Sequence, residues 1–308
     1  MPVHVKSDFS EDLRQHCIEE LRRVDVALPK ATDVESLCCA YFNVQRRLVP
    51  KQPRRVFQSR PLTARVLPTD QRAALDVIAV ACERGDDLTP RLSQRILKAV
   101  YDDRNLNDFG FHHLHLGARA EGARFVQGEK FVLHVLVRED AIYFIDVLGH
   151  GPESFANQSL VQIVHDEWPE AIKCARAVGA VPGSLDPPAL SPKTRDVMRE
   201  RFTMAVQTSD GTIYTPIGGG IVCSGMSLDV RRQVDHHRTL VHRVGQWARE
   251  KADQIRDAIE HDTGQRLAEL HLTYLVGDPP SLRETQANVT IPVSVREADV
   301  PLTFPELG

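Results

Sequence analysis

Five of the thirteen histidines in this chain fall between Asn105 and Gly151: His112, His113, His115, His134 and His150, in company with Arg119, Arg124 and Asp146. Imidazole changes charge near neutral pH and also ligates metals through a neutral ring nitrogen, so such a concentration marks where proton transfer or metal binding could take place. Two chemistries fit these residue types. In metal-independent RNA cleavage a base takes the 2′-hydroxyl proton, an acid protonates the leaving oxygen and cations offset the charge of the phosphorane. His113 or His115 would pair with His150, and Arg119 or Arg124 would meet the phosphate. In metal-dependent hydrolysis His113 and His115 would share a zinc or iron ion, with His134, His150 or Asp146 completing the set. No HExxH and no cysteine partner motif accompanies that pair. A non-enzymatic reading stands beside both, with His112 and His134 in the core and the others on the polar surface of a binding module.

The elements that must position these side chains read as strands. Alternation in FHHLHLG puts Phe111, His113 and His115 on one face and His112, Leu114 and Leu116 on the other. KFVLHVLVR and AIYFIDVLGHG flank Glu139-Asp140 and predict a β-hairpin, in which Leu133 would lie opposite Asp146 and His134 opposite Ile145. Both faces of that hairpin are largely apolar, which predicts a sheet covered on both sides. His150, between Gly149 and Gly151, sits just past a strand end where a side chain can reach a cleft.

A second unusual stretch precedes this one. Residues 44–69 carry Arg46, Arg47, Lys51, Arg54, Arg55, Arg60 and Arg65 and no acidic residue, and Pro50, Pro53, Pro61 and Pro68 favour an extended course. On a chain of net charge −4 this block is an electrostatic outlier whose natural partner is a polyanion, so Arg46, Arg47, Arg54 and Arg55 are candidate RNA-backbone ligands. The alternative is a solvated loop whose arginines pair with carboxylates elsewhere.

Around these stretches the pattern predicts helices over about residues 11–27 with Ser10 as cap, from a Thr32/Glu35 capping box, from Thr69 to Arg84 with Gly85 after it, and from Thr89-Pro90 to about Tyr101. Asp103 would end the last of these, and Asp108 could orient a histidine. The fold expected is α+β. A helical N-terminal half leads into a small antiparallel sheet (residues 1–178), a Pro- and Gly-rich linker follows (179–196), and a ββαββ domain (197–308) carries one long helix from about Ser227 to Asp262. That helix is long enough to pack against a second copy, which makes a homodimer an expectation. Gly220 to Ser227 has the glycine and serine spacing of a phosphate loop, but Met226 stands at the lysine position, so a packed turn is predicted. The Asp103, Asn105, Asn107 alternation lacks the glycine and glutamate of a calcium loop.

Composition excludes other classes. With 42% hydrophobic and 26% charged residues the chain is an ordinary globular one. Its six cysteines include no CxxC pair, which points to reduced thiols in a cytoplasm. The N-terminus shows no apolar leader core and no run reaches membrane length.

Helices followed by RFVQGEKFVLHVLVREDAIYFIDVLGH over about residues 90–170 resemble the RelE-like toxin ribonucleases of the wider barnase/colicin nuclease superfamily, whose sheets also carry His and Arg at the cleft. DFGFHHLHLG resembles instead a motif of uncharacterised bacterial proteins, often with Trp where Phe109 stands here, and that likeness implies no activity. The leading expectation is therefore a toxin-like or defence-like endoribonuclease that acts without a cofactor through His113, His115 and His150 with Arg119 or Arg124. RNA would be its substrate and an antitoxin-like protein its partner. The alternatives are a zinc or iron hydrolase built on His113, His115, His134 and Asp146, and a nucleic-acid or protein interaction module.

Overall fold

The structure, a computed structural model, describes residues 3–277 and 279–293. Its α+β elements are, in chain order, β1 (His4–Lys6), α1 (Phe9–Arg23), α2 (Val34–Arg47), β2 (Arg55–Gln58), α3 (Arg60–Ala64), α4 (Thr69–Arg84), α5 (Arg104–Phe109), β3 (Phe111–His115), β4 (Phe131–Val137), β5 (Ala141–Gly149), α6 (Pro152–Phe155), α7 (Ser159–Glu167), α8 (Pro192–Met198), β6 (Val206–Gln207), β7 (Ile213–Tyr214), α9 (Leu228–Glu250), α10 (Ala252–Thr263), β8 (Glu269–Leu275), β9 (Ser281–Glu284) and β10 (Val289–Pro292). Among the described residues no helix is long and apolar enough to cross a membrane.

Capping chemistry decides several ends differently from the sequence pattern. Asp8, not Ser10, accepts the Glu11 N–H at the start of α1, and Asp33, not Thr32, accepts the Ser36 N–H at the start of α2. Residues 89–97 form two short 3-10 turns, Thr89–Arg91 and Gln94–Leu97, because the Ser93 hydroxyl restarts the chain by accepting the Arg95 N–H. Asp103 does not end a helix; it starts α5 by accepting the Leu106 N–H. Gly85 does close α4, in the left-handed region at φ 76°.

Packing divides the chain into one unit of residues 43–229 and another joining residues up to 42 with those from 230 on. The boundaries fall inside α2 and at the start of α9, not in the expected 179–196 linker. In the second unit the sheet is mixed, in the order β1-β8-β9-β10, with β1 parallel to β8 and the other pairs antiparallel. It is therefore no ββαββ arrangement: β1 comes from the far end of the chain, β6 and β7 belong to the other unit, and the long helix breaks at Lys251 into α9 and α10. The predicted strand over NVTIPVSVR is β10 as far as Pro292, and its last residues lie outside the described ones.

The unit of residues 43–229 holds the histidines. Its sheet runs β2-β5-β4-β3; β2 is parallel to β5 and the remaining pairs are antiparallel. Leu114, Leu133, Val135, Phe144 and Val147 pack on one face against Leu62 of α3 and Leu75 and Ile78 of α4. Phe111, Leu136 and Ile145 pack on the other against Leu160, Val161 and Val164 of α7. This double cover is what the apolar hairpin predicts. The purely antiparallel expectation is corrected by β2, which emerges from the basic stretch as a parallel edge strand. The hairpin register is corrected as well. The turn at Glu139-Asp140 forms, but a β-bulge between His134 and Val135 inserts Ile145 as the extra residue, so His134 lies opposite Asp146 and Leu133 opposite Val147.

Strand β3 is held from behind by α5. Arg195 of α8, with no exposed surface, donates to both Asp108 carboxylate oxygens at 2.8 and 2.6 Å and lies over the Phe109 ring. Asp108 therefore anchors α8 and does not orient a histidine. The backbone of Gly218 and Gly220 caps the end of α5, donating to the carbonyls of Asp108 and Asn107. A Cβ at Gly218 would meet the Leu106 carbonyl oxygen at 1.8 Å, so only glycine fits there. Ile221 and Ser227 pair across the following turn, which is the packed turn expected in place of a phosphate loop.

Candidate metal centre

His113 and His115 project from the same face of β3, as their alternation requires, and His150 reaches the same place from the end of β5. One ring nitrogen from each of the three lies within 4.8 Å of the others. Ring centroids are 5.8 Å apart for His113 and His115, 5.8 Å for His113 and His150 and 5.1 Å for His115 and His150. The backbone explains how His150 comes to be there. Its N–H donates to the Lys130 carbonyl, which carries the β4–β5 pairing one residue past Phe131 and Gly149 and holds His150 beside the start of β4.

The three sites form a gradient from interior to solvent: His115 is buried, His113 half-buried and His150 exposed. Burial pushes the His115 imidazole down to about 4, with the nearby His113 and His150 rings acting in the same direction. Burial also pushes His113 down, His150 adds to it, and the Asp103 carboxylate pulls the other way. At His113 and His115 this surrounding favours the neutral imidazole, whose lone pair a metal needs, over an imidazolium acid. His150 also lines an open recess of about 280 Å³ with Glu129, Lys130, Gly149, Gly151 and Ser154, so the exposed end of the cluster faces space that a ligand can enter. A second, small cavity of about 20 Å³, large enough for about one water, is lined by His112, His113, Asp103, Ser93, Arg95 and Tyr101 among others.

Phe155 of α6 forms the wall of the cluster, with its ring centroid 4.8 Å from His113, 5.3 Å from His150 and 5.5 Å from His134. No sequence signal marks it, since it lies in a four-residue helix with no flanking motif. His134 stands cross-strand from His113 with no exposed surface, and neither of its ring nitrogens has a hydrogen-bond partner among the described residues. Burial, reinforced by His113 and His150, pushes its imidazole down to about 3. His112 points to the opposite face, is likewise without ring partners and is pushed down to about 4 by burial.

The remaining candidates go elsewhere. Asp146, expected as a metal ligand, binds Arg65 through both oxygens at 2.7 and 2.5 Å and also accepts the Val147 N–H. His134 is not a member of the converging set; the β3–β4 register places it across from His113, with Val132 across from His115. Arg119 donates to the Ala123 carbonyl within the loop after β3, and Arg124 lies 5.5 Å over the Phe125 ring. Arg46 donates to Asn107 Oδ1 and to the carbonyls of Leu106 and Gly218. Arg47 donates to the carbonyls of Asn43, Arg95 and Lys98. Arg54 donates to those of Arg138 and Pro50. Arg47 and Arg54 are buried, and of the four arginines expected at an RNA backbone only Arg55 is exposed, paired with Asp140.

No family model, curated protein or solved structure matches the chain.

Proposed function

We propose that this protein is a metal-dependent hydrolase in which His113, His115 and His150 hold one divalent ion, with the recess beside His150 receiving the substrate. The convergence of three imidazole nitrogens within 4.8 Å, two from one strand and one from the end of another, carries the reading. An all-imidazole set without thiolate or carboxylate suits zinc, which leaves a fourth coordination position open in catalytic sites. Such an ion would supply Lewis acidity and lower the pKa of a bound water to about 7. The protein's own part is to favour the neutral form of His113 and His115 by burial, to fix their orientation on a two-sided sheet and to wall the cluster with Phe155. The metal-independent ribonuclease draws on the same three histidines and needs one of them kept as an imidazolium acid, a form that burial opposes at His115 and His113.

The test is metal uptake followed by catalysis. The purified protein, stripped and titrated with zinc or cobalt(II), is expected to bind one equivalent. Hydrolysis of at least one of a panel of nitrophenyl esters, phosphodiesters and RNA should appear with the metal and vanish with chelator. A chain that takes up neither metal overturns the reading, and RNA cleavage indifferent to chelator returns the acid–base ribonuclease in its place.

A further inference from the structure

His134 is the polar side chain beside the cluster that the metal reading leaves without a role. An unpaired buried polar group costs about 1–3 kcal/mol, and an apolar residue of similar size at this position would avoid that cost. His134 has no exposed surface, and both its ring nitrogens lack a partner among the described residues. Its strand neighbours Val132 and Leu136 are buried and apolar, so the position itself does not call for a polar residue. It projects on the same face as His113, directly across from it, and shares the Phe155 wall with His113 and His150. Yet it stays out of the set of converging nitrogens.

We infer that His134 is the hydrogen-bond donor for the non-protein ligand in the open coordination position, an inference that rests on the metal reading above. A neutral imidazole carries one N–H and one lone pair, so it can donate to an anionic or carbonyl oxygen, or to an anionic nitrogen, without adding charge to the site. A preorganised donor next to a cation selects ligands that bring negative charge to the metal-bound atom. The ligand class is therefore an oxyanion or a carbonyl polarised toward one. His134 is a ligand-binding residue in this role and not a fourth metal ligand.

Cobalt(II)-loaded protein titrated with azide separates the possibilities, because azide enters the open position and its nitrogen accepts hydrogen bonds. In His134→Leu the cobalt affinity should stay within about threefold of the parent, while the azide dissociation constant should rise about tenfold, the worth of one such hydrogen bond. His134→Gln, which keeps an N–H donor, should recover part of the azide affinity. Thermal unfolding of the metal-free proteins checks the fold, and His134→Leu should be no less stable than the parent because it removes unpaired polar atoms. Unchanged azide affinity in a folded, cobalt-loaded His134→Leu overturns the inference and leaves the metal reading intact. So does a hundredfold loss of cobalt affinity with altered visible bands, which makes His134 a metal ligand. Failure of the parent protein to bind cobalt is a different result and removes the metal reading itself.

Discussion

Two stretches of this chain advertise function by composition, the histidines of residues 105–151 and the arginines of residues 44–69, and the structure treats them in opposite ways. The arginines are consumed by the fold. Arg46, Arg47 and Arg54 donate to backbone carbonyls of neighbouring segments, and Arg65 satisfies the buried Asp146. The histidines are left unspent: His134 and His112 have no ring partners among the described residues, His115 Nδ1 has none, and three rings converge on one another. Buried polar groups that are fully paired explain themselves as scaffold. Buried polar groups without partners need another reason to be kept, and that asymmetry, more than charge or residue type, separates the two stretches.

The largest expected effect tests the histidine side of this contrast. His115 is the most buried of the three ligands, so His115→Ala should lower zinc affinity by about a thousandfold, which is about 4 kcal/mol. Urea unfolding of the metal-free protein should change by far less, since among the described residues no hydrogen bond to that ring is present. A zinc affinity within tenfold of the parent would mean that the imidazoles crowd together without holding an ion.

The arginine side gives the next effect. Arg47→Met removes a buried guanidinium that ties together the carbonyls of Asn43, Arg95 and Lys98, the last two of which keep a backbone donor, and should cost about 2 kcal/mol in the urea transition of that unit, with zinc affinity unaltered. A loss under about 0.5 kcal/mol would show that the buried guanidinium is not part of the scaffold. The two variants together form a double dissociation, one changing metal and not stability, the other the reverse.

Much of the candidate site could be read from sequence because it depends on local periodicity. His113 and His115 share a face by strand alternation, and the glycines beside His150 mark a strand end. What could not be read depends on distant partners. The bulge that places Asp146 opposite His134 has no signature in AIYFIDVLG, and Asp146 went from ligand candidate to partner of Arg65, eighty-one residues away. Strand β1 pairs with β8 across a separation of 263 residues at the Lys6–Glu269 contact, so neither its three residues nor the discontinuous unit showed in any local window. Strand β2 was hidden by the composition of its surroundings: prolines and arginines predicted an extended arm, and the extension is real but is paired with β5. The Phe155 wall was invisible for a simpler reason, that a lone aromatic five residues beyond His150 carries no pattern.

The smallest effect is the sharpest test of whether the basic stretch retains any part in binding. Arg55 pairs with Asp140, and both side chains are about seventy per cent exposed; the guanidinium also lies 5.7 Å over the Phe57 ring. A pair so open to solvent is worth at most about 1 kcal/mol, so Arg55→Ala should shift the urea transition by no more than that. RNA binding decides what remains. A guanidinium that contacts a phosphate contributes about one unit to the slope of log affinity against log salt, whereas one that only pairs with Asp140 contributes nothing. The expected outcome is the same slope for Arg55→Ala and parent between 50 and 200 mM salt. A slope reduced by about one would return Arg55 to a nucleic-acid surface and blur the contrast, because part of the basic stretch would then serve a ligand and not the fold.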